Sequence, residues 1–245
     1  IAVCSYVEIR IQINFVLMKY IILGLGNFGS SLAQKLVGMG HEVIGVDHEM
    51  DKVNALKEQI TNTICLDITD QQALTNLPLQ DADIVMVCIG EDQGANIMAT
   101  ALMKQAGVNR LIARAVSPLH ETILEAMHVD EIIHPEEETA ERWANKLNIR
   151  GVVDSYELTD EYSIVKAKVP EAFVGKTLEE LSLRKDYNVL VLTTIKEVEE
   201  KNRLGITRKV NQVQGVASSG TRLEEDDIIV LYGEIDHIQK LLKEV

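Results

Sequence analysis

The feature that most constrains this chain is a glycine pattern at the end of an apolar run. After the run KYIIL come Gly24, Gly26 and Gly29, in the order GLGNFG, and a helix-forming stretch follows. At such a junction the first glycine permits a tight turn, the second lets the backbone approach a pyrophosphate, and the third lets the helix pack on the strand. The amides at the start of the helix then point at the phosphates. The pattern predicts a nucleotide-binding turn, with Asn27 and Phe28 inside it, and the alternative is a glycine-rich turn that only packs a helix.

An acidic residue strengthens the nucleotide interpretation. Asp47 ends the next apolar run, EVIGVD, at about the 20-residue offset where such folds place the carboxylate that binds the ribose. Its negative charge would repel a 2′-phosphate, so NADP is disfavoured.

The apolar pattern predicts two domains. From Lys19 to about Ile133, six strand-like runs alternate with amphipathic helical stretches, which predicts an α/β, Rossmann-type, doubly wound parallel sheet in the order 3-2-1-4-5-6. Beyond Gly151 short β-rich runs predict a small α+β domain. We expect an N-terminal extension over residues 1–17, a nucleotide-binding domain over 18–135, a connecting helix over 136–151 and the second domain over 152–245.

Further candidate residues lie where other strands of the first domain end, because ligands of such sheets bind at the carboxyl ends of the strands. Asp67, with its neighbour Ile68, ends the third strand, and a solvated turn or a helix N-cap is the alternative role for Asp67. Ile89 and Gly90 end the fourth strand. Arg114 ends the fifth strand, and it either approaches the phosphates or forms a surface ion pair.

Composition excludes several classes of protein. The net charge of −14 offers no basic face for nucleic acid. The three cysteines, Cys4, Cys65 and Cys88, are widely spaced, which favours neither a disulfide framework nor a zinc site and fits a reducing compartment. Residues 1–17 alternate apolar and polar side chains and carry Glu8 and Arg10, so they favour a strand over a membrane span.

Enzyme chemistry has little support in the sequence. The six histidines are scattered over turns and helix ends, and residues 151–245 contain no constellation of acid and base that would face a nicotinamide. We therefore expect a protein that is not an enzyme, with an NAD-dependent oxidoreductase as the alternative.

Five segments together carry a family resemblance: GLGNFG, the acid in VD, VCIGEDQGAN, ARA and IIHPEEE. Over residues 18–245 the chain resembles the RCK family of regulatory subunits of potassium uptake, of the TrkA and KtrA type, with TrkA-N and TrkA-C domains. The resemblance implies an adenine nucleotide, either ATP/ADP or NAD(H), in a homodimer that assembles further into an octameric ring. It also implies that the ring docks on the cytoplasmic face of a membrane potassium transporter of the Trk or Ktr kind. A regulator of another cation channel or exchanger is the alternative.

The resemblance also implies roles for individual residues. The three glycines would hold the phosphates, Asp47 the ribose, and Arg114 would be the basic residue near the phosphates. Glu136 would lie near the phosphates across the dimer and help to hold a divalent cation; the alternative is an acid that stabilises the start of a helix.

Two features depart from the pattern of the family. Asn27 stands where many ATP-sensing relatives have an arginine, which makes a diphosphate or NAD(H) more credible as the ligand. Some relatives bind cyclic di-AMP in the second domain, where Leu183 and Arg184 occupy similar positions, but the long hairpin expected over residues 196–220 weakens that comparison.

Overall fold

The structure is a computed structural model that describes residues 17–148, 151–201 and 207–243. Two compact units divide the chain, and the boundary falls between Glu136 and Glu137. The strand expected over residues 1–17 lies almost entirely outside the described residues.

The first unit is built on a six-stranded parallel sheet in the order β3-β2-β1-β4-β5-β6. The predicted Rossmann-type order is therefore confirmed. Its strands are β1 (Lys19–Leu23), β2 (Glu42–Asp47), β3 (Asn62–Cys65), β4 (Ile84–Val87), β5 (Leu111–Arg114) and β6 (Glu131–Ile133). Its helices are α1 (Asn27–Gly38), α2 (Met50–Leu56), α3 (Gln93–Ala106) and α4 (Pro118–Ala126), with short 3-10 turns at Ala73–Asn76 and Leu79–Asp81 between β3 and β4.

Strand β1 shows why this sheet is buried on both faces. Ile21, Ile22 and Leu23 are all at most 1% exposed. Ile21 and Leu23 pack in one apolar cluster and Ile22 in another, as expected from side chains that alternate between the two faces of a strand. Helix packing on both sides of the sheet explains the continuous apolar runs that were visible in the sequence.

The topology locates a crevice beside β1. This strand pairs in parallel with β2 on one side and with β4 on the other, so the chain winds in opposite directions from it. In open parallel sheets ligands bind at this switch point, outside the carboxyl ends of the strands. The glycine turn that follows β1 therefore stands at the expected ligand site.

The second unit contains a five-stranded antiparallel sheet in the order β10-β9-β11-β8-β7. The strands are β7 (Val152–Glu157), β8 (Tyr162–Lys168), β9 (Leu190–Lys201), β10 (Thr207–Val213) and β11 (Ile228–Glu234). Helix α5 (Pro135–Asn148) contains the boundary between the units, and α6 (Leu178–Leu181), α7 (Leu183–Tyr187) and α8 (Ile235–Lys243) follow it. One face of the sheet packs against α8 through Ile238 and Leu241, which are at most 1% exposed.

Two expectations for the second unit can be compared with the structure. The hairpin is present, because β9 and β10 pair antiparallel from Ile195↔Val213 to Lys201↔Thr207. The sequence also predicts a helix near Thr177–Leu183, and α6 lies within that range. Ser182 adopts a left-handed conformation (φ 47°) that ends α6 and starts α7.

No helix within the described ranges combines the length and the apolar character needed to cross a bilayer.

Candidate nucleotide site

A cavity of about 480 Å³ opens in the first unit at the carboxyl ends of β1, β2, β4 and β5. Its volume is within the range of small-molecule sites. All the residues that the sequence nominated line it, except Gly29: Gly24, Gly26, Asn27, Phe28, Asp47, Asp67, Ile68, Ile89, Gly90, Arg114 and Glu136. The fold therefore brings together residues that are up to 112 positions apart in the sequence.

The three glycines of the motif have different surroundings. Gly24 has φ +98°, which favours glycine, and its amide donates to the carbonyl of Val46 at 2.8 Å. A Cβ on Gly29 would lie 2.0 Å from the carbonyl oxygen of Gly24, so Gly29 serves the packing of α1 against the turn. A Cβ on Gly26 would meet no protein atom within 4 Å. Gly26 is thus the glycine whose missing side chain leaves space open at the start of α1.

Asp47 is buried and already bonded to the backbone. It is 5% exposed. One carboxylate oxygen accepts a hydrogen bond from the amide of Leu25 at 2.7 Å, and the other accepts from the amide of Glu49 at 2.9 Å. An ionised carboxylate has about four acceptor sites, so Asp47 retains the capacity to accept from a hydroxyl while it fixes the glycine turn. No pattern in the sequence indicated this second role.

Asp67 lies in a local turn at the cavity wall. Its Oδ1 accepts hydrogen bonds from the hydroxyl of Thr69 at 2.7 Å and from the amide of Thr69 at 2.9 Å. These bonds favour the charged form and hold the pKa of Asp67 below its usual range. The neighbouring Ile68 is 6% exposed. Asp67 is therefore both a turn-forming residue and a lining residue of the cavity.

Arg114 is fixed in place by several contacts. Its side chain is 15% exposed and forms an ion pair with Glu136 through Nη2. Nη1 is 3.4 Å from the carbonyl oxygen of Cys88, and the guanidinium lies 5.9 Å from the ring centroid of Phe28. It also covers Gly90, where a Cβ would come within 2.4 Å of Nη1. Arg114 is thus a lining residue as well as an ion-pair partner.

A buried amide connects two of the strand ends. Asn96 of α3 is fully buried, and its Nδ2 donates to the carbonyl of Ile89 at 2.7 Å and to that of Arg114 at 3.1 Å. These bonds hold the ends of β4 and β5 together and so position Arg114. Asn96 lies in the segment VCIGEDQGAN, but a side chain that bonds two distant carbonyls gives no pattern in a single sequence.

The lining also includes charged residues that no sequence motif indicated. Lys52 of α2 bonds to Glu49 at 2.7 Å, and this bond raises the pKa of Lys52. Glu91 and Asp92 follow Gly90, and His48 lies between Asp47 and Glu49. In total the cavity is lined by six carboxylates and only two permanent cations, Lys52 and Arg114. In the sequence, the one indication that these residues line the cavity is that they lie near the strand ends predicted to form the site.

The candidate metal residue Glu136 stands apart from the acidic residues beside α2. Within the described part of the chain, the one group of three metal-ligating side chains that lie close together is Asp47, His48 and Glu49. Glu136, whose side chain is 64% exposed, contacts Arg114 instead.

The residues compared with a cyclic di-AMP pocket lie in the second unit. Leu183 is 4% exposed and belongs to the apolar core of that unit. Arg184 is exposed.

Comparison with known proteins decides the family. The TrkA-N domain family matches residues 20–135. A Ktr system potassium uptake protein C from Bacillus subtilis is 30% identical over 93% of this chain and 97% of its own length. The chain belongs to the TrkA/KtrA family of potassium uptake proteins. Ktr system potassium uptake protein A of Vibrio alginolyticus is 29% identical over 92% of this chain and 96% of its own.

Solved structures support the fold. The RCK domain of GsuK superposes with a TM-score of 0.61 at 17% identity, covering 94% of this chain and 48% of that one. The GsuK channel bound to NAD gives 0.60 at 18% identity, with 94% and 40% covered. This TrkA/KtrA-type chain thus has the RCK fold and spans less than half of those chains. Family membership also identifies it as a potassium uptake protein and not an enzyme, which confirms the expectation from the sequence.

Proposed function

We propose that this protein is the cytoplasmic gating subunit of a potassium uptake system and that it binds an adenine nucleotide in the cavity of its first unit. The observation that carries the proposal is the cavity itself. It joins an open glycine at a helix start, a buried carboxylate and a fixed arginine, which suit a phosphate group and a ribose.

The neutral Asn27 and the charge of the lining bear on the choice of nucleotide. We propose ATP or ADP as the main candidates and NAD(H) as a further one. Without an arginine at position 27, the third phosphate of ATP has no obvious partner there. This favours ADP and NAD(H) as ligands relative to ATP. The NAD that is bound to the GsuK channel, a protein of the same fold, agrees with this choice.

A divalent cation would relieve the charge of the site. Six carboxylates and two cations line the cavity, and a diphosphate would add further negative charge. We propose that a divalent cation accompanies the nucleotide and that Glu136 helps to hold it in the assembled protein. In Mg²⁺ the Glu136→Gln variant should bind ADP more weakly than the wild type, as measured by calorimetry. Equal affinities in Mg²⁺ would contradict the role of Glu136 as a cation ligand.

The partner follows from the family. The relatives are named as components of Ktr and Trk potassium uptake systems. We propose that the chain forms dimers and an octameric ring on the inner face of the membrane, where the ring contacts a membrane transporter subunit. Nucleotides can shift the shape of the ring only through different affinities for two conformations. Regulation of another cation channel is the second candidate, because the fold is also that of the GsuK RCK domain.

Calorimetric titration of the purified protein with ATP, ADP, NAD⁺ and NADH, combined with light scattering, tests the proposal. We expect saturable binding of at least one of them and a ring whose dimensions change with ligand. A protein that binds none of the four would refute the nucleotide site, and a monomer in every condition would refute the ring.

A further inference from the structure

We infer that Glu136 is an internal competitor for the nucleotide: its carboxylate occupies the Arg114 guanidinium that a phosphate group would otherwise bind. The inference rests on the proposed nucleotide site and specifies how that site is regulated. It concerns binding without a divalent cation, which is the condition under which the Glu136 carboxylate has only the protein as a partner.

The position of Arg114 makes it the phosphate-binding cation. Its guanidinium lies over Phe28, which belongs to the glycine turn, and against Gly90 at the end of β4. The turn and the start of α1 are the part of the fold that receives phosphate groups. The other lining cation, Lys52 in the first turn of α2, is bonded to Glu49, the residue that precedes this helix.

Both cations of the cavity therefore have a carboxylate partner within the chain. Arg114 forms an ion pair with Glu136, and Lys52 forms one with Glu49. An incoming phosphate must share or replace one of these carboxylates. The guanidinium of Arg114 is fixed, whereas the side chain of Glu136 is 64% exposed, so Glu136 is the partner that can leave into water at small cost.

The place of Glu136 in the chain gives the exchange a consequence. Glu136 is the second residue of α5, and the residues of this helix from Glu137 onward belong to the second compact unit. Release of the carboxylate removes a tie between the cavity wall and the first turn of α5. Occupancy of the site by phosphate is thereby linked to a contact of the second residue of α5.

A double-mutant cycle measured by calorimetry in EDTA tests the inference. The variants are Glu136→Gln, Arg114→Gln and the double variant, with ADP as the ligand and adenosine as the phosphate-free comparison. Glu137→Gln is the matched control, because Glu137 is an exposed neighbour with the same charge that does not line the cavity. Circular dichroism confirms that each variant is folded.

We expect Glu136→Gln to bind ADP about two- to fivefold more tightly than the wild type, the range of an exposed ion pair. The affinity of Glu136→Gln for adenosine should equal that of the wild type, and so should the affinity of Glu137→Gln for ADP. The gain in ADP affinity should vanish when Arg114→Gln is also present. Unchanged ADP affinity in Glu136→Gln, an equal gain in Glu137→Gln, or a gain that persists without Arg114 would each overturn the competitor role while leaving the nucleotide site intact. Absence of ADP binding by every form, in EDTA and in Mg²⁺, would overturn both, and binding in Mg²⁺ alone would overturn only the competitor role.

Discussion

At the scale of single residues, two glycines of the motif should affect different properties: Gly26 the affinity for a ligand, and Gly29 the stability of the fold. Gly26 has an extended backbone (φ −64°, ψ −172°) and open space where a Cβ would stand. Gly26→Ala should change the free energy of unfolding by less than about 1 kcal/mol. The new methyl group would occupy the space proposed for the pyrophosphate, so ADP affinity should fall by at least about tenfold. Thermal unfolding and calorimetry on the same sample measure the two effects.

Gly29→Ala should show the opposite behaviour. The added Cβ would lie 2.0 Å from the backbone oxygen of Gly24, and backbone cannot move aside as a flexible side chain does. We expect a loss of roughly 1–3 kcal/mol in the free energy of unfolding, as in an overpacked core. Denaturant unfolding measures this loss, and Gly26→Ala is the control. A stable Gly29→Ala variant would show that α1 can shift away from the turn.

At the scale of elements, one ion pair joins α5 to β7 within the second unit. Arg142 donates two hydrogen bonds to Asp154, at 2.9 and 2.8 Å, and Tyr156 donates a third. The bonds from Arg142 are the main reason why the pKa of Asp154 is lowered from 3.8 to about 2. A carboxyl group whose pKa is lowered by folding stabilises the protein above its unfolded pKa, and this contribution is lost as the pH falls toward the folded value.

Asp154→Asn should therefore destabilise the protein at neutral pH, and the difference from the wild type should shrink from about pH 4 toward pH 2. Urea unfolding at a series of pH values measures this difference. Glu225→Gln is the control, since Glu225 is exposed and its replacement should give a small difference that does not follow this profile. A constant deficit for Asp154→Asn down to pH 2 would contradict the pKa argument.

The sequence predicted elements well where one local signal dominates. The buried strands such as β1 and β4 are continuous apolar runs, and both faces of the sheet are covered, so their type and order followed from pattern and topology. The helix predicted near Thr177–Leu183 is present as α6, but the break between α6 and α7 at Ser182 was not predicted. The left-handed backbone at Ser182 depends on packing of the chain around it, which spacing does not encode.

The same division holds for the candidate site. Gly24, Gly26 and Asp47 could be nominated because strand ends in this topology share one edge. The contacts that these residues make could not be predicted. Asp47 accepts a hydrogen bond from the amide of Leu25, and Arg114 pairs with Glu136. These contacts depend on side-chain rotamers in elements that are distant in sequence.

At the scale of the whole molecule, the net charge of −14 acts on any anionic ligand. Raising the ionic strength from 0.01 to 0.15 M shortens the Debye length from about 30 to about 8 Å. Repulsion from distant carboxylates is then screened, whereas contacts within the cavity are screened much less. ADP affinity in EDTA should rise with NaCl over this range, and adenosine affinity should stay constant, as followed by calorimetry. A fall in ADP affinity would mean that attraction by Lys52 and Arg114 outweighs the field of the acidic residues.

The bond between Asp47 and the amide of Leu25 has a kinetic consequence. The side chain suited to a sugar also holds the turn suited to phosphates, so bonds within the protein fix the shape of the turn. A ligand would enter without waiting for a loop to order, and its arrival would be limited by diffusion and by charge at the entrance. Such a site would bind its ligand quickly, so the protein would respond without delay to a rise in nucleotide concentration.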